Sequence, residues 1–572
     1  MPKVVPVDEF VDPEWYPGWR DLEPGIKVFD AIGPFRKEDE AGFWILDFHH
    51  PYGFCPLSFG LLEVGAKLTQ IVAERIPLPP GRGLTVRMAG VHSYASEVPV
   101  TSPWLIGERA KRAMKSIPAM IASFPDDWAA AVEELKAGLE RFESLDVDSL
   151  DPAELAAYLT EAYDFLERAW EIHFELMYPL LANYAGFLGV CAELGIDASQ
   201  APAFLQGEDT KIMAVDRELW NLADRAREEG IDSIFAAHEA EELKAALEAD
   251  PAAATWLAEF NEFLQRDGWR IEGIVNPMLA PWIEDPTPPL GTIKTFLGAE
   301  ERFDFDAARE ATIAEREQLV AETRDRLTVE EREVFDGALA AVRAVNFVWW
   351  NEEHNYYIDL RAHIPYRRLA MAVVTAAGAP DPDDAFYLFV QELHELAAGR
   401  RRWSELADLV AARRTFYADS IAKRAEMPKI LGTVPETITD PVVAEIYGMG
   451  DAFFAALDAD GSDVSELVGI PAAPGKVRGR VRVLHSAQEL HRIEEGEVLV
   501  CEATSPNWTP AFGKIAGCVC DTGGSLTHAA IVSREYRIPA VTGCAVATQA
   551  LGDGDLVEVD GTAGVVRIIE RA

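Results

Sequence analysis

The segment from Thr522 to Gly543, TGGSLTHAAIVSREYRIPAVTG, holds the residues whose types and spacing point most directly to chemistry. A small-residue turn leads to His528, and the following pattern predicts a helix from Ala529 to about Tyr536 that stops before Pro539. A histidine in or just before a first helical turn lies beside free backbone N–H groups, where the helix dipole favours an anion. A neutral imidazole at that place can attack phosphorus. The pattern therefore predicts a histidine that accepts a phosphoryl group.

The turn before this histidine supplies a candidate phosphate cradle. Glycines let the backbone approach phosphate oxygens closely, because no Cβ lies in the way. The predicted cradle consists of Thr522, Gly523, Gly524, Ser525 and Thr527. The alternative interpretation is an ordinary strand, turn and helix with a capping Ser or Thr and an incidental histidine.

The same segment, followed by LGDGDLVEVDGTAGVVRI, closely resembles the phosphohistidine domain of the phosphoenolpyruvate-utilising enzymes. That family includes phosphoenolpyruvate synthase, pyruvate phosphate dikinase, rifampicin phosphotransferase and phenylphosphate synthase. Its pattern is Gly-Gly, two residues, Ser/Thr-His-Ala-Ala-Ile, then Arg-Glu and Ile-Pro-Ala-Val, and it is met here nearly letter for letter. The resemblance implies that His528 carries the phosphoryl group on a swivelling domain.

A second group of chemically active side chains lies in NFVWWNEEHNYYIDLRAHIPYRRLAMAV, residues 346–373. If this span is helical up to Pro365, His354 and Arg361 lie two turns apart on one side of the helix. The functional interpretation is a base for an acceptor hydroxyl together with cations for phosphate oxygens. The alternative is a solvated helix with ion pairs and a buried aromatic stripe.

Roles within this block follow from residue type. The candidate bases are His354 and Glu353, the candidate cations are Arg361 and Arg367, and Tyr357 is a candidate substrate contact. Glu353 and Tyr357 are four residues apart and would share a helix face.

Paired histidines, His49 and His50, lie in FWILDFHHPYGFCPLSFGLL among prolines and aromatic residues. Such a pair suggests a metal or proton-transfer site, and the alternative is one buried hydrogen-bonding histidine beside a solvent-facing one. No third ligand is spaced nearby, so we expect no metal. The stretch resembles the start of the acceptor domain in phenylphosphate synthase and rifampicin phosphotransferase. Both histidines are therefore candidate substrate-binding residues.

The order of predicted helices and strands along the chain indicates an α+β multidomain protein. Residues 1–430 form the predicted acceptor-binding domain, mostly helical with a part rich in strands and loops at its start. Residues 431–466 turn to Gly, Asp, Thr and Pro and are predicted to be a linker. From about residue 467, alternating strands and turns predict a β-rich α/β domain that the resemblance identifies as the swivelling phosphohistidine domain.

Capping signatures place several helix starts in the acceptor-binding domain. Asp151, with Pro152 and Glu154 after it, has the pattern of a capping box, and Thr328 with Glu331 repeats it. His173 falls on the apolar stripe of the helix that Asp151 begins. We interpret His173 as a packed core histidine rather than a catalyst.

The composition of the chain indicates the cellular compartment and excludes some classes of binding partner. With a net charge of −44, the chain is not expected to bind nucleic acid or an anionic membrane surface. Its six cysteines lack the spacing of metal ligands and fit free thiols in a reducing cytoplasm. No signal peptide or long apolar run is present, so we expect a cytoplasmic protein.

The resemblance implies a dikinase subunit of the phenylphosphate synthase type. We find no Gly-rich nucleotide motif, so we expect a separate ATP-grasp subunit to hold Mg²⁺ and ATP and this chain alone to bind no cofactor. AMP and inorganic phosphate would be the co-products. A small phenol-type hydroxyl is the expected acceptor, because 14 Trp, 14 Tyr and 27 Phe can form an apolar stacking pocket. The alternatives are a rifampicin-type antibiotic phosphotransferase and a phosphocarrier or regulatory module without acceptor chemistry of its own.

Overall fold

The computed structural model of the protein describes residues 3–11, 15–19, 22, 31–77, 81–197, 200–271, 273–298, 302–435, 448–449, 453–454, 465–505 and 508–572. Most of the predicted linker, 431–466, lies outside these residues.

Strands occur near the start of the chain and again at its C-terminal end. They are β1 Val4–Val5, β2 Ile32–Pro34, β3 Phe43–Leu46, β4 Gly81–Ala89, β5 His92–Pro99, β6 Ile430–Thr433, β7 Glu466–Val468, β8 Ile470–Ala473, β9 Lys476–Val483, β10 Val498–Cys501, β11 Gly517–Cys520, β12 Ala540–Thr542, β13 Leu556–Asp560 and β14 Val565–Glu570.

Helices dominate the chain between β5 and β6. The helices are α1 Pro56–Arg75, α2 Pro103–Glu143, α3 Pro152–Glu193, α4 Lys211–Glu228, α5 Asp232–Ala237, α6 Ala240–Ala249, α7 Ala254–Asp267, α8 Thr287–Gly298, α9 Phe305–Arg326, α10 Val329–Ala344, α11 Phe347–Tyr357, α12 Ile364–Ala376, α13 Val390–Ala397, α14 Ala407–Ile421, α15 Thr509–Phe512, α16 His528–Glu535 and α17 Ala547–Ala550. The predicted α+β class, a mainly helical region followed by a β-rich domain, is confirmed.

Contacts between residues divide the chain into two compact units, each assembled from separated segments. The first unit comprises residues 1–183, 273–280 and 354–436, and the second comprises 184–272, 281–353 and 437–572. The predicted boundaries at 430 and 466 describe a different, functional division, and they stay predictions.

The first unit contains a six-stranded sheet in the order β1-β6-β3-β5-β4-β2. Helix α1 packs against β4, and an aromatic cluster that includes Trp15, Tyr16, Phe59 and Phe389 fills the adjoining core. The strand β6, from far along the chain, pairs with both β1 and β3. This pairing ties residues near 430 to the N-terminal strands.

Both predicted capping boxes are confirmed. The N–H of Asp151 donates to Glu154 Oε2 at 2.9 Å, and the N–H of Glu154 donates to Asp151 Oδ1 at 2.9 Å. Thr328 and Glu331 make the same reciprocal bonds at the start of α10. These side chains satisfy backbone donors that have no partner inside the helix.

The second unit contains an eight-stranded sheet in the order β7-β14-β13-β9-β10-β11-β12-β8. Strands β9, β10, β11 and β12 run parallel, and every residue of β10 and β11 is buried, as expected of parallel strands covered on both faces. The carboxyl ends of adjacent parallel strands lie at one edge of the sheet. The loops that follow β10 and β11 therefore meet at that edge.

The condition of one helix up to Pro365, under which His354 and Arg361 would share a side, is not met. Helix α11 ends at Tyr357 and α12 begins at Ile364, with turns between them. Pro365 stands in the first turn of α12, where a backbone N–H would have no partner inside the helix, so its absence costs nothing. In the turns before α12, the carbonyl of Asp359 accepts a hydrogen bond from Val275 N–H at 3.1 Å. His354 and Arg361 consequently do not share one helix.

No helix within the described residues is both long enough and apolar enough to cross a membrane.

Candidate active site

His528 is the first residue of α16 and follows the loop after β11. The observed helix agrees with the predicted one to within a residue at each end. Thr527 stands at the N-cap with extended backbone dihedrals, so the first N–H groups of α16 face the loop side of the helix. His528 therefore lies where a helix N-terminus favours an anion.

Two threonines contact the imidazole of His528. The Thr504 hydroxyl lies 2.9 Å from Nδ1, and the Thr509 hydroxyl lies 3.4 Å from Nε2. Thr504 follows β10, and Thr509 begins α15, whose Phe512 ring stands edge-on to the imidazole. These hydroxyls hold both ring nitrogens in place.

The imidazole of His528 is neutral throughout the physiological pH range. Only 8% of the residue is exposed, and burial followed by the positive charge of Arg270 lowers its pKa to about 3. Arg270 is itself buried, with its guanidinium 4.5 Å from the centroid of the Trp282 ring. A neutral nucleophile and a nearby cation suit the acceptance of a phosphoryl dianion.

The predicted cradle residues form the turn in front of His528. Gly523 adopts φ +101°, and a Cβ added there would lie 2.9 Å from Thr527 Oγ1, so the turn needs glycine. The Thr522 hydroxyl donates to the Glu502 carbonyl, and the Thr527 hydroxyl donates to the Gly524 carbonyl. These two side chains hold the turn in shape, and a direct role of the turn in binding phosphate stays a prediction.

The rest of the predicted cradle braces α16 against the turn. The carbonyl of Ser525 accepts a 2.7 Å hydrogen bond from Arg534 Nη2 in the last turn of α16. Arg534 is almost fully buried. The loop and the helix that carries His528 are thereby joined at both ends.

Carboxyl groups line a small pocket beside α16, between that helix, α4 and α11. Burial, with the charges of Glu535 and Asp216, raises the pKa of Glu352 to about 8. Burial likewise raises the pKa of Glu535 to about 7, although Gly207 N–H donates to its carboxylate at 3.4 Å. Burial therefore favours the protonated forms of Glu352 and Glu535 in this pocket.

His354 lies in the first unit and is buried beside Asp359. Its Nε2 lies 3.5 Å from Asp359 Oδ2, and its ring centroid lies 4.5 Å from that of His173. His173 is buried, as predicted, but it contacts His354 rather than apolar side chains alone. A carboxylate beside an imidazole fixes the orientation of the ring.

The predicted cations have structural partners. Arg361 Nη2 lies 2.5 Å from Glu143 Oε1, and the guanidinium lies 5.2 Å from the centroid of the Tyr356 ring. Arg367 donates from Nε to the carbonyl of Pro277 at 2.8 Å. Both side chains are nearly inaccessible to solvent. Their proposed roles toward phosphate stay predictions.

Glu353 and Tyr357 make contacts with different parts of the chain. Glu353 belongs to the second unit, where its Oε1 accepts a 2.7 Å hydrogen bond from the N–H of Lys211 at the start of α4. Burial raises the pKa of Glu353. Tyr357 belongs to the first unit and packs edge-on against Trp128 and Tyr356. Both residues lie on α11, four positions apart as predicted, and their roles at an acceptor site stay predictions.

His49 and His50 share one carboxylate. Asp47 Oδ1 lies 3.1 Å from His49 Nδ1, and Asp47 Oδ2 lies 2.7 Å from His50 Nδ1. Burial opposes ionisation of Asp47, but His50 and His49 lower its pKa well below the usual range. His49 also contributes to a lowered pKa of Asp359, so it lies in the same region of the first unit as His354.

Sequence reasoning missed Arg270, Thr504, Thr509, Asp47 and Asp359 as members of these sites. Arg270 lies in FLQRDGWRIEGI, and the two threonines lie in GEVLVCEATSPNWTPAF, which are segments without a motif that marks them as catalytic. Asp47 could have been found from the sequence, because it stands two residues before His49 and three residues before His50. A carboxylate at such spacing is a common partner of a functional imidazole.

Two protein-family models match separate parts of the chain. Residues 493–564 match the mobile domain of PEP-utilising enzymes, and residues 175–352 match the fourth domain of rifampicin phosphotransferase. The resemblance found around His528 is thereby confirmed. The chain carries both types of domain.

Relatives extend the likeness over most of the chain. Chondramide synthase cmdD of Chondromyces crocatus is 30% identical over 560 residues, which cover 93% of this chain and 14% of that protein. The uncharacterized phosphotransferase YvkC of Bacillus subtilis is 27% identical over 458 residues, 78% of this chain and 51% of YvkC. Rifampicin phosphotransferase of Bacillus subtilis is 27% identical over 321 residues, 54% of this chain and 34% of the enzyme. This chain spans about half or less of the length of these relatives.

Proposed function

We propose that this chain, which carries a mobile domain of the PEP-utilising enzymes, is a phosphotransferase that accepts a phosphoryl group on His528 and passes it to the hydroxyl of a small aromatic molecule. The observation that carries the proposal is the neutral, buried imidazole at the N-terminus of α16, beside the cation of Arg270. The relationship to YvkC and to rifampicin phosphotransferase supports the same reaction class.

In the first half-reaction a separate ATP-grasp subunit supplies the phosphoryl group from Mg²⁺-bound ATP. The short contact between Thr504 and Nδ1 favours a tautomer in which Nδ1–H donates to the hydroxyl and Nε2 keeps its lone pair. Nε2 then attacks phosphorus, the bond from phosphorus to its bridging oxygen breaks, and the leaving group departs with that electron pair. Arg270 and the helix N-terminus stabilise the negative charge of the phosphoryl oxygens. Attack by Nε2 breaks one phosphoanhydride bond of ATP, and water hydrolyses the other, so AMP and inorganic phosphate are the co-products of the complete cycle.

In the second half-reaction the phosphoryl group moves from Nε2 to the acceptor oxygen. A base removes the hydroxyl proton, the new oxygen–phosphorus bond forms, and the nitrogen–phosphorus bond breaks. Of the two predicted bases, His354 is the better supported, because Asp359 orients its ring while Glu353 caps α4. Transfer through a covalent histidine allows two sites to use one phosphoryl group while each excludes water.

Rifampicin-type phosphorylation is the second candidate function. The match of residues 175–352 to the fourth domain of rifampicin phosphotransferase favours it. A panel of acceptors separates the two candidates, because a small phenol and a large polycyclic antibiotic require pockets of different size. Turnover of neither acceptor, with His528 still labelled, would favour the phosphocarrier module instead.

The carrier role of His528 is tested with ATP labelled in its β-phosphate, together with the ATP-grasp subunit and Mg²⁺. We expect an acid-labile, base-stable phosphate on the protein, attached to Nε2, as resolved by phosphohistidine isomer analysis. His528→Ala should abolish labelling without unfolding the protein, since alanine suits a first helical turn. His485→Ala, a change in a loop of the same domain, serves as the matched control and should keep full labelling. Persistent label on His528→Ala would refute the assignment.

A further inference from the structure

Three buried side chains of the first unit come together, and one of them, His173, is distant in sequence from the other two. One candidate ligand atom from each of His173, His354 and Asp359 lies within 4.8 Å of the others. Asp359 Oδ2 is 3.5 Å from His354 Nε2, and Asp359 Oδ1 is 3.9 Å from His173 Nδ1. Each of the three residues is less than 9% exposed. They belong to α3, α11 and the turns that follow α11.

The residue types of this cluster suit a bound cation. Imidazole nitrogens and a carboxylate oxygen are common ligands of transition-metal ions in proteins. The cluster brings two imidazoles and one carboxylate together.

The carboxylate of Asp359 is incompletely satisfied by the protein. Its Oδ1 is buried and has no hydrogen-bond partner among the described residues. A buried ionised oxygen in that condition destabilises the fold unless a cation or a donor reaches it. His363, which is fully buried and lies within electrostatic reach of Asp359, likewise makes no hydrogen bond from either ring nitrogen to the described residues. Asp359 Oδ1 therefore lies where the three side chains converge and accepts no hydrogen bond from the described residues.

We propose that His173, His354 and Asp359 bind one divalent transition-metal ion of the Zn²⁺ class. Two imidazoles and one carboxylate select such ions over Mg²⁺ and Ca²⁺, which prefer all-oxygen sites. Bonds of about 2.0–2.2 Å place the ligands of a tetrahedral ion roughly 3.4 Å apart, close to the 3.5 and 3.9 Å separations from Asp359. Three protein ligands leave at least one coordination position open, as in metal sites that bind water or substrate.

Metal binding does not depend on the proposed phosphoryl transfer, but it changes the role of one residue in that reaction. A metal-bound nitrogen of His354 has no lone pair with which to accept a proton. In the loaded protein the open coordination position would bind the acceptor oxygen and lower the pKa of its hydroxyl group. His354 would then act as a ligand, and the acceptor would reach its ionised form on the metal.

The test measures metal binding to the tag-free full-length chain without ATP or partner. Metal-free protein is titrated with Co²⁺, and visible absorption and cobalt-edge X-ray absorption are recorded. We expect one equivalent of Co²⁺ with the intense visible bands of a four- or five-coordinate ion, scattering from two imidazoles, and competition by Zn²⁺. His173→Asn and Asp359→Asn should each weaken Co²⁺ binding at least about tenfold, the scale seen even when an outer-shell partner is lost.

The matched control is His238→Asn, whose Nδ1 contacts only the carbonyl of Ile234 in the second unit. It should bind Co²⁺ as the unmodified protein does. If His173→Asn or Asp359→Asn fails to fold by circular dichroism, the cobalt spectra of the unmodified protein still decide the question. Absence of stoichiometric Co²⁺ binding, or a bound ion without imidazole scattering, overturns the proposal. Co²⁺ binding that both variants retain at full strength also overturns it.

Discussion

An imidazole can attack phosphorus only while it is neutral, and the surroundings of His528 keep its imidazole neutral. Burial and the charge of Arg270 lower its pKa to about 3, several units below that of an exposed histidine. In the proposed reaction, the cation that disfavours protonation of His528 also stabilises the incoming phosphoryl group. We therefore propose that Arg270 acts in both the free and the phosphorylated forms.

Arg270→Ala should slow the labelling of His528 by about a hundredfold, which is the usual effect of removing one positioned charge from a site of charge development. It should also shorten the lifetime of the phosphohistidine, because the phosphate loses its counter-charge. Both are measured by following the labelled protein over time. Arg266→Ala is the matched control, since the exposed side chain of Arg266, four residues before Arg270, pairs with Asp267. Equal labelling rates for the two variants would contradict a role for Arg270.

Glu352 gives the protein a pH-dependent stability. Its pKa is about 8 in the folded protein and near 4.5 when exposed, so its contribution to stability is full below pH 4.5 and is lost as the pH rises through 8. Glu352→Gln keeps the shape of the protonated acid and removes the penalty. At pH 8 we expect the free energy of unfolding of the variant to exceed that of the unmodified protein by roughly 2–5 kcal/mol, and at pH 4.5 we expect the two values to match.

Denaturant unfolding at a series of pH values measures this difference. Glu333→Gln, at an exposed position on α10, is the control and should leave the pH profile unchanged. If the free energy of unfolding changes with pH in the same way for Glu352→Gln and for the unmodified protein, the pKa of Glu352 is not raised.

At the scale of elements, the end of α11 decides how residues 346–373 can act. Because the helix stops at Tyr357, the turns that follow bring Asp359 to His354 and direct Arg361 toward Glu143. A continuous helix would have placed His354 and Arg361 on one face. The acceptor-side chemistry that we propose therefore depends on the turns between α11 and α12.

His354→Ala and Arg361→Ala should each lower phosphorylation of the true acceptor by about a hundredfold, the usual scale for losing a base or a positioned cation. Labelling of His528 by the partner should not change, since that half-reaction uses another site. Acceptor turnover and histidine labelling are measured separately on the same preparations.

Glu143→Gln is the matched control for Arg361. It breaks the ion pair seen at 2.5 Å and keeps the cation. Near-normal turnover in Glu143→Gln with loss in Arg361→Ala identifies the cation as the important group. Equal loss in both variants would mean that only the ion pair matters, and unchanged turnover in His354→Ala and Arg361→Ala would direct attention to His49 and His50.

At the scale of the whole molecule, two compact units built from interleaved segments contain different chemistry. The second unit holds His528 together with Arg270 and the two threonines, and the first holds the histidine and carboxylate clusters. A strongly acidic chain with a net charge of −44 repels free nucleotide phosphates at long range. This repulsion supports the proposal that a partner binds ATP.

The isolated chain should bind ATP no more tightly than the millimolar range and should not hydrolyse it, because its sequence contains no nucleotide-cradling motif. Isothermal titration calorimetry with Mg²⁺–ATP measures this directly. The purified ATP-grasp subunit is the positive control under the same conditions. Micromolar affinity of the isolated chain for ATP would contradict the proposal that a separate subunit binds ATP.

What the sequence determined by itself was local. The helix that His528 begins, the capping boxes and the β-rich C-terminal domain were all predicted, because turn chemistry, capping and periodicity act between residues a few positions apart. The role of His528 as the carrier stays a prediction. The contacts of His528 with Thr504 and Arg270 were decided only by the tertiary structure, through the parallel order of β10 and β11 and the packing within the second unit. The meeting of His173, His354 and Asp359 was decided in the same way, since long-range packing joins helices that no short-range pattern relates.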